Sequence, residues 1–183
     1  MQGKFTDCLM GFTLLPENDG QPFHTTSGDS GGTTSYGIVR DNWSRWIKRP
    51  ATDADMMAIT PATAAPLYEA WFWKTVEGDA LPAGVDVMVF DHGVLAGEST
   101  SARQLQEVVR TQADGWIGPA TISCVMARDP AALIGMLAYR QEAYYRSLSS
   151  FSRFGNGWLA RIDRRVAAAL AMSRVPSSPI PTS

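Results

Sequence analysis

Hydrophobic residues recur at helical spacing along most of the chain. Phe5, Leu9, Phe12 and Leu15 form one such run, which Pro16 ends, so a helix is predicted near 3–15 with Glu17 just beyond it. From Asn18 to Tyr36 the composition turns to Gly, Ser, Thr and Asp, which predicts a turn-rich β-hairpin near 24–38. Asp41 is placed to cap a short helix carrying Trp43, Trp46 and Ile47, and the stretch RPATDAD after it reads as a surface loop. Thr60-Pro61 opens a helix through Leu67, Tyr68, Trp71 and Phe72, which Pro66 is expected to kink or delay. Val85, Met88, Val89 and His92 share the face of another helix, ended by Gly97. Ser99 or Thr100 starts the next, with Leu105, Val108 and Val109 apolar, and Gly118-Pro119 starts a short one through Ile122 and Val125. Asp129-Pro130 caps a long helix to about Ser149, and a last amphipathic helix near 156–173 spaces Trp158, Ile162, Val166 and Leu170 by four. Residues 174–183 form a Pro/Ser-rich tail without a core-forming pattern. The expected class is mainly α (α+β), with one small β element.

Composition narrows this further. With 183 residues, 45% of them hydrophobic, the chain suits one full-sized core and not two comfortable domains. A net charge of -2 argues against a generic polyanion binder, so no nucleic-acid partner is expected. The charge is uneven: residues 1–100 hold 6 basic and 13 acidic residues, whereas 101–183 hold 10 and 5. Only the second half is suited to an anionic surface. Cys8, Cys124, His24 and His92 are too scattered for a zinc site, so neither a metal nor a cofactor is expected. The start MQGKFTDCLMGF lacks the pattern of a secretory signal, and no apolar run is long enough for a membrane span, which points to synthesis in the cytoplasm.

The chemistry is first approached by elimination. No G-x-S-x-G elbow and no G-x-x-x-x-G-K loop occurs, so the commonest signatures of acyl transfer and phosphate binding are absent. A carboxylate at a helix end, Glu17, is followed by a Gly/Thr-rich segment holding a second, Asp29. Glycoside hydrolysis uses such a pair, one acid held neutral by apolar neighbours and one carboxylate better solvated. Phe12, Leu14, Leu15 and Pro16 supply apolar neighbours for Glu17. On pattern alone, a Glu after a helix is more often a solvated surface group, and Asp29 closing an Asx turn is an open reading as well.

The segment GDSGGTTSYGI, residues 28–38, resembles the D-x-G-G-x-T-x-x-G-I hairpin of glycoside hydrolase family 108, matched at Asp29, Gly31, Gly32, Thr34, Gly37 and Ile38. LYEAWFW at 67–73 is similar to that family's aromatic segment. DALPAGVDVMVFDHGVLAG at 79–97 is similar to its A-L-P-x-G-x-D-x-x-x-F-D stretch, through Ala80, Leu81, Pro82, Gly84, Asp86, Phe90 and Asp91. Leu105-Gln106 and Asp114-Gly115-x-Ile117-Gly118-Pro119-x-Thr121 look like its C-terminal predicted peptidoglycan-binding segment. Two places depart from the pattern: Glu17-Asn18-Asp19-Gly20 stands where the family has Glu-Gly-Gly, and Leu95 where it has Asn. The negative charge of Asp19 would raise the pKa of Glu17, which suits a general acid.

The resemblance implies a lysozyme-like fold with a small β-hairpin lobe, and a muramidase of phage, prophage or secretion-associated type. It implies Glu17 as general acid, with Asp29 or a water held by Ser35 or Thr34 on the opposite side of the scissile bond. Tyr36 and Trp73 are the aromatic candidates for stacking a sugar ring, and Asp91 and His92 candidates for touching substrate, although His92 on an apolar helix face suits a core or cleft-wall position better. The implied layout is one domain over 1–173: a catalytic half, 1–97; a predicted peptidoglycan-binding region, 98–150; and a basic amphipathic helix, 156–173. The expected partner is the peptidoglycan glycan strand, met by a monomer in the periplasm or wall after release through a holin or secretion machinery. Arg161, Arg164, Arg165 and Arg174 raise a further expectation, a solvated basic face that meets anionic outer-membrane or wall polymer. The rival reading is a catalytically weakened peptidoglycan-binding or secretion-associated structural module, with a wall peptidase or amidase third.

Overall fold

A computed structural model describes residues 2–14, 23–25 and 33–174. The first helix, α1 (Gln2–Cys8), runs on as a wider π turn over Leu9–Thr13, which buries Leu9 and Phe12. Three short strands follow, β1 (Phe23–Thr25), β2 (Thr33–Ser35) and β3 (Ile38–Val39), as an antiparallel sheet in the order β1-β2-β3. The register pairs Phe23 with Ser35 and Ser35 with Ile38, so the single hairpin expected near 24–38 is a three-stranded meander.

Helix α2 (Arg40–Ile47) leaves β3 directly: its N-cap is Val39, and Asp41, the expected cap, sits in the first turn. The stretch read as a loop contains a short helix, α3 (Asp53–Met57), closed by a capping box in which Thr52 and Asp55 serve each other's backbone N–H. Five residues, DADMM, are too few to show an apolar period, so the capping box is the signal that marks this helix. Thr60 and Thr63 form a second capping box for α4 (Pro61–Tyr68), which contains Pro66 and widens into a π turn over Glu69–Trp73.

Helix α5 (Val85–Ala96) is the centre of the molecule. Every residue from Val85 to Gly93 is buried, and α1, α6 (Glu98–Val109), α8 (Pro130–Arg146) and α9 (Phe151–Ser173) pack around it. A helix apolar all round belongs inside a core, and the charged Asp86 and Asp91 on it therefore need built-in partners. Asp86 accepts from the backbone N–H of Gly84 and Val87 at 2.8 Å each and faces Lys4 at 3.3 Å; burial nevertheless pushes its carboxyl above the usual range. The short α7 (Pro119–Met126) lies against α6.

Helix α9 starts at Phe151, earlier than the predicted 156, because Phe151 packs against Gly155, where a side chain would meet its ring at 2.7 Å. The expected solvated basic face is corrected in part, since of its four arginines Arg164 and Arg174 are exposed and the other two are not. Arg161 and Arg165 are buried in the core, and the buried side of α9 runs through Arg161, Ile162, Arg165 and Ala169. The positions spaced by four, Trp158, Val166 and Leu170, are half-buried. The tail from residue 175 lies outside the described residues.

Candidate active site

The β2–β3 turn is a two-residue loop, Tyr36-Gly37, with φ of 48° and 76°. Positive φ at both positions is the turn whose twist matches a hairpin. It suits Gly37 and costs Tyr36 of order 1 kcal/mol or more. The hydroxyl of Tyr68 meets this cost by donating to the carbonyl of Tyr36 at 2.7 Å, and a side chain at position 37 would come within 3.0 Å of the same hydroxyl. The other end of the strand is tied down by Arg40, which donates to Thr33 Oγ1 at 2.8 Å and pairs with Asp53 of α3.

This scaffold presents the candidate hydroxyls differently. Thr34 is half-buried, whereas Ser35, on the opposite face of the strand, is 1% exposed. Glu17 and Asp29 lie outside the described residues, as do Asn18, Asp19 and Gly20. The described chain stops three residues short of Glu17, at Leu14, and resumes with β1 at Phe23.

Trp73 is placed in the core, not in a cleft. It is 1% exposed, its ring centroid is 5.6 Å from that of Phe5 and 5.4 Å from that of Phe90, and Gly78 lies against it so closely that a Cβ there would fall 2.4 Å from a ring carbon. No face is left to stack a sugar. Trp43 is likewise buried. Among the described residues, Tyr36, Trp46, Trp71 and Phe72 have partly exposed rings. Trp46 meets Trp71 edge-on at 5.9 Å, and the Arg45 guanidinium lies 4.9 Å from the Trp71 ring. The π turn over Glu69–Trp73 shifts the wheel by a residue, so a regular 3.6 period exchanges inside for outside here.

Asp91 and His92 are fully buried on α5. Burial alone would raise the Asp91 carboxyl, but the guanidiniums of Arg165 and Arg161 outweigh it and hold the group at about 2. Arg161 reaches it through Nε at 3.0 Å and Nη2 at 2.6 Å, Arg165 through Nε at 2.7 Å. His92 Nδ1 is 3.2 Å from the Tyr145 hydroxyl, and burial, reinforced by Arg165, pushes its imidazole down to about 3. It is therefore neutral at ordinary pH and does not serve as an imidazolium acid. Both residues are structural anchors of the central helix and are shielded from a bound glycan.

The second half of the chain has its own anchor. Gln106 donates to Asp114 Oδ1 at 2.7 Å and to the Trp116 carbonyl at 2.9 Å, and accepts from the Gly115 N–H at 2.9 Å. Asp114 in turn accepts from the Trp116 N–H at 2.9 Å. This clasp sets the turn before α7 and leaves the Trp116 side chain 66% exposed.

Comparison with known proteins agrees with this architecture. Residues 14–97 match the family described as Glycosyl hydrolase 108, and residues 100–163 match the Predicted Peptidoglycan domain. No curated protein matches the chain. The solved structure of Brucella abortus SagA is similar over 96% of this chain and 99% of that one, with 32% identity and a TM-score of 0.84. The two matched segments fall on the two halves of a single helical scaffold, and the chain belongs to the glycosyl hydrolase 108 family, as a glycoside hydrolase acting on peptidoglycan.

Proposed function

We propose that the chain is an N-acetylmuramidase, cleaving the β-1,4 bond between N-acetylmuramic acid and N-acetylglucosamine, in an endolysin-type role with release through a holin or secretion machinery. The observation that carries the reading is the match of residues 14–97 to a glycosidase family, a span that holds Glu17, Asp29 and the anchored β2–β3 hairpin. Glu17 is the general acid that protonates the leaving oxygen, and a carboxylate or activated water acts on the opposite face of the sugar. Asp29 is the carboxylate for that second role. Of the two candidate hydroxyls, Thr34 suits the orientation of a water better than the buried Ser35 does. Tyr36 is the hairpin aromatic that suits contact with a sugar ring.

Digestion of purified peptidoglycan, with the products identified by mass spectrometry, tests the reading. New reducing ends on N-acetylmuramic acid are expected, with Glu17→Gln lowering their release by at least about a hundredfold. Free peptide would mean a peptidase, reducing N-acetylglucosamine a different glycosidase, and wall binding without any product the rival structural module.

A further inference from the structure

The two arginines of α9 that hold Asp91 face different surroundings. Arg165 is wholly internal: besides Asp91 it donates through Nη1 to Gln141 Oε1 at 2.6 Å, and Gln141 donates on to the Met88 carbonyl at 2.9 Å. That circuit stays among α5, α8 and α9. Arg161 turns the other way. Its Nη2, already 2.6 Å from Asp91 Oδ1, lies 3.4 Å from the carbonyl oxygen of Thr13, and its guanidinium is 5.5 Å from the Phe12 ring.

Thr13 ends the π turn that continues α1, and the C-terminal end of a helix carries partial negative charge. Glu17 is four residues further along the chain, within about 14 Å of Thr13 even at full extension. A planar guanidinium is suited to both tasks at once, because one edge grips a carboxylate while a remaining N–H serves a carbonyl.

We propose that Arg161, oriented by Asp91, is a positioning residue for the hydrolytic reaction: it fixes the end of the first helix and with it the point from which the chain sets out toward Glu17. The inference rests on the reading of Glu17 as the general acid. It also assigns the C-terminal helix a part in the catalytic half of the molecule. Arg161 belongs to neither the glycosidase segment, residues 14–97, nor the hairpin, yet it contacts the element that leads to the acid. Asp91 keeps Arg165 when Arg161 is removed, so truncating Arg161 does not strand a buried carboxylate.

The test compares Arg161→Met, Arg161→Lys and Arg165→Met in the full chain, by kcat and KM on purified peptidoglycan and by thermal midpoint, with Glu17→Gln in the same assay. Arg161→Met is expected to lower kcat about tenfold or more at nearly unchanged KM, since small misplacements of a reacting group are costly. Arg161→Lys should restore part of that loss, and Arg165→Met should lower the midpoint while each folded molecule keeps its kcat. Should the methionine variant not fold, the lysine variant carries the test alone, with a reduced kcat at a near-normal midpoint expected. Unchanged kcat, an effect confined to KM, a loss that tracks the unfolded fraction, or loss of fold in both Arg161 variants overturns the proposal. If Glu17→Gln is inactive and Arg161→Met normal, the positioning role alone falls. If Glu17→Gln is active, the general-acid reading falls and takes the proposal with it.

Discussion

Tyr68 donates its hydroxyl hydrogen to the carbonyl of Tyr36 across 32 positions of sequence, joining the end of α4 to the tight turn of the hairpin. Burial, reinforced by the nearby charge of Asp91, pushes the Tyr68 phenol above its usual range, so it stays a donor at any ordinary pH. Tyr68→Phe removes the donor and leaves the carbonyl of a positive-φ residue without its partner. The expected cost is about 1–3 kcal/mol. Amide exchange at Thr34 and Ser35 should speed up in the variant, and lytic activity should fall with it. Unaltered exchange and midpoint would show that the turn is held by its strands alone.

Gly84 opens the central helix at φ 87°, and a Cβ there would lie 2.3 Å from the carbonyl oxygen of Ala169 and 3.0 Å from Ile134 Cδ1. The obstructing atom on one side is backbone, which cannot swing away. Gly84→Ala therefore combines a disfavoured dihedral with overpacking, and about 2 kcal/mol or more of stability should be lost, or roughly 4–8 °C in thermal midpoint. A variant melting with the parent would mean that α5 and α9 separate more easily than their packing implies.

The legibility of this molecule in its sequence divides along the same lines. The long apolar periods placed α5, α6, α8 and α9 within a few residues, because burial of a broad face dominates their energetics. The short α3 and the π turns after α1 and α4 were not legible: one is set by a capping box, the others by a single extra residue per turn. That extra residue also explains why a regular helical period turns Trp71 inward in place of Trp73. The family motif residues were visible, yet several of them are structural in origin. Gly84 and Asp86 form the start of α5, Asp91 is an ion-pair centre, and Gln106 with Asp114 forms a turn clasp. Periodicity cannot reveal that Arg161 and Arg165 point inward, because their counter-charge lies 70 and 74 positions away.

Two buried groups give the fold an acid limit. His92 titrates near 3 in the folded chain against an ordinary 6.5, so below about pH 6.5 the unfolded chain takes up the proton first. Stability then falls by up to about 1.4 kcal/mol per pH unit until about pH 3. Asp91, held at about 2 against 3.8, contributes its stability in full above about pH 4 and loses it as the pH falls toward 2. Thermal midpoints measured from pH 7 to 4 should therefore decline chiefly through His92, and His92→Leu should flatten that decline. Parallel curves for the two proteins would place the acid limit elsewhere.

Deleting residues 156–183 separates two roles for the C-terminal helix. If α9 were a device for reaching anionic polymer, the shortened chain would keep its fold and its activity on soluble glycan, and lose only its action on whole cells. The structure argues for the opposite outcome. The deletion removes Arg161 and Arg165, both partners of a carboxylate that is 0% exposed, along with Ile162 and Ala169 from the core. An ionised Asp91 without either guanidinium costs about 3–5 kcal/mol, a large fraction of the roughly 5–15 kcal/mol that holds a domain folded, and the lost apolar burial adds to it. The shortened chain should show no cooperative melting transition by circular dichroism and no activity on either substrate. Arg165→Glu, which sets a second carboxylate beside Asp91 and leaves the length unchanged, should have the same result. A folded, oligosaccharide-active product from either variant would show that the core closes without α9, and would return the helix to a targeting role.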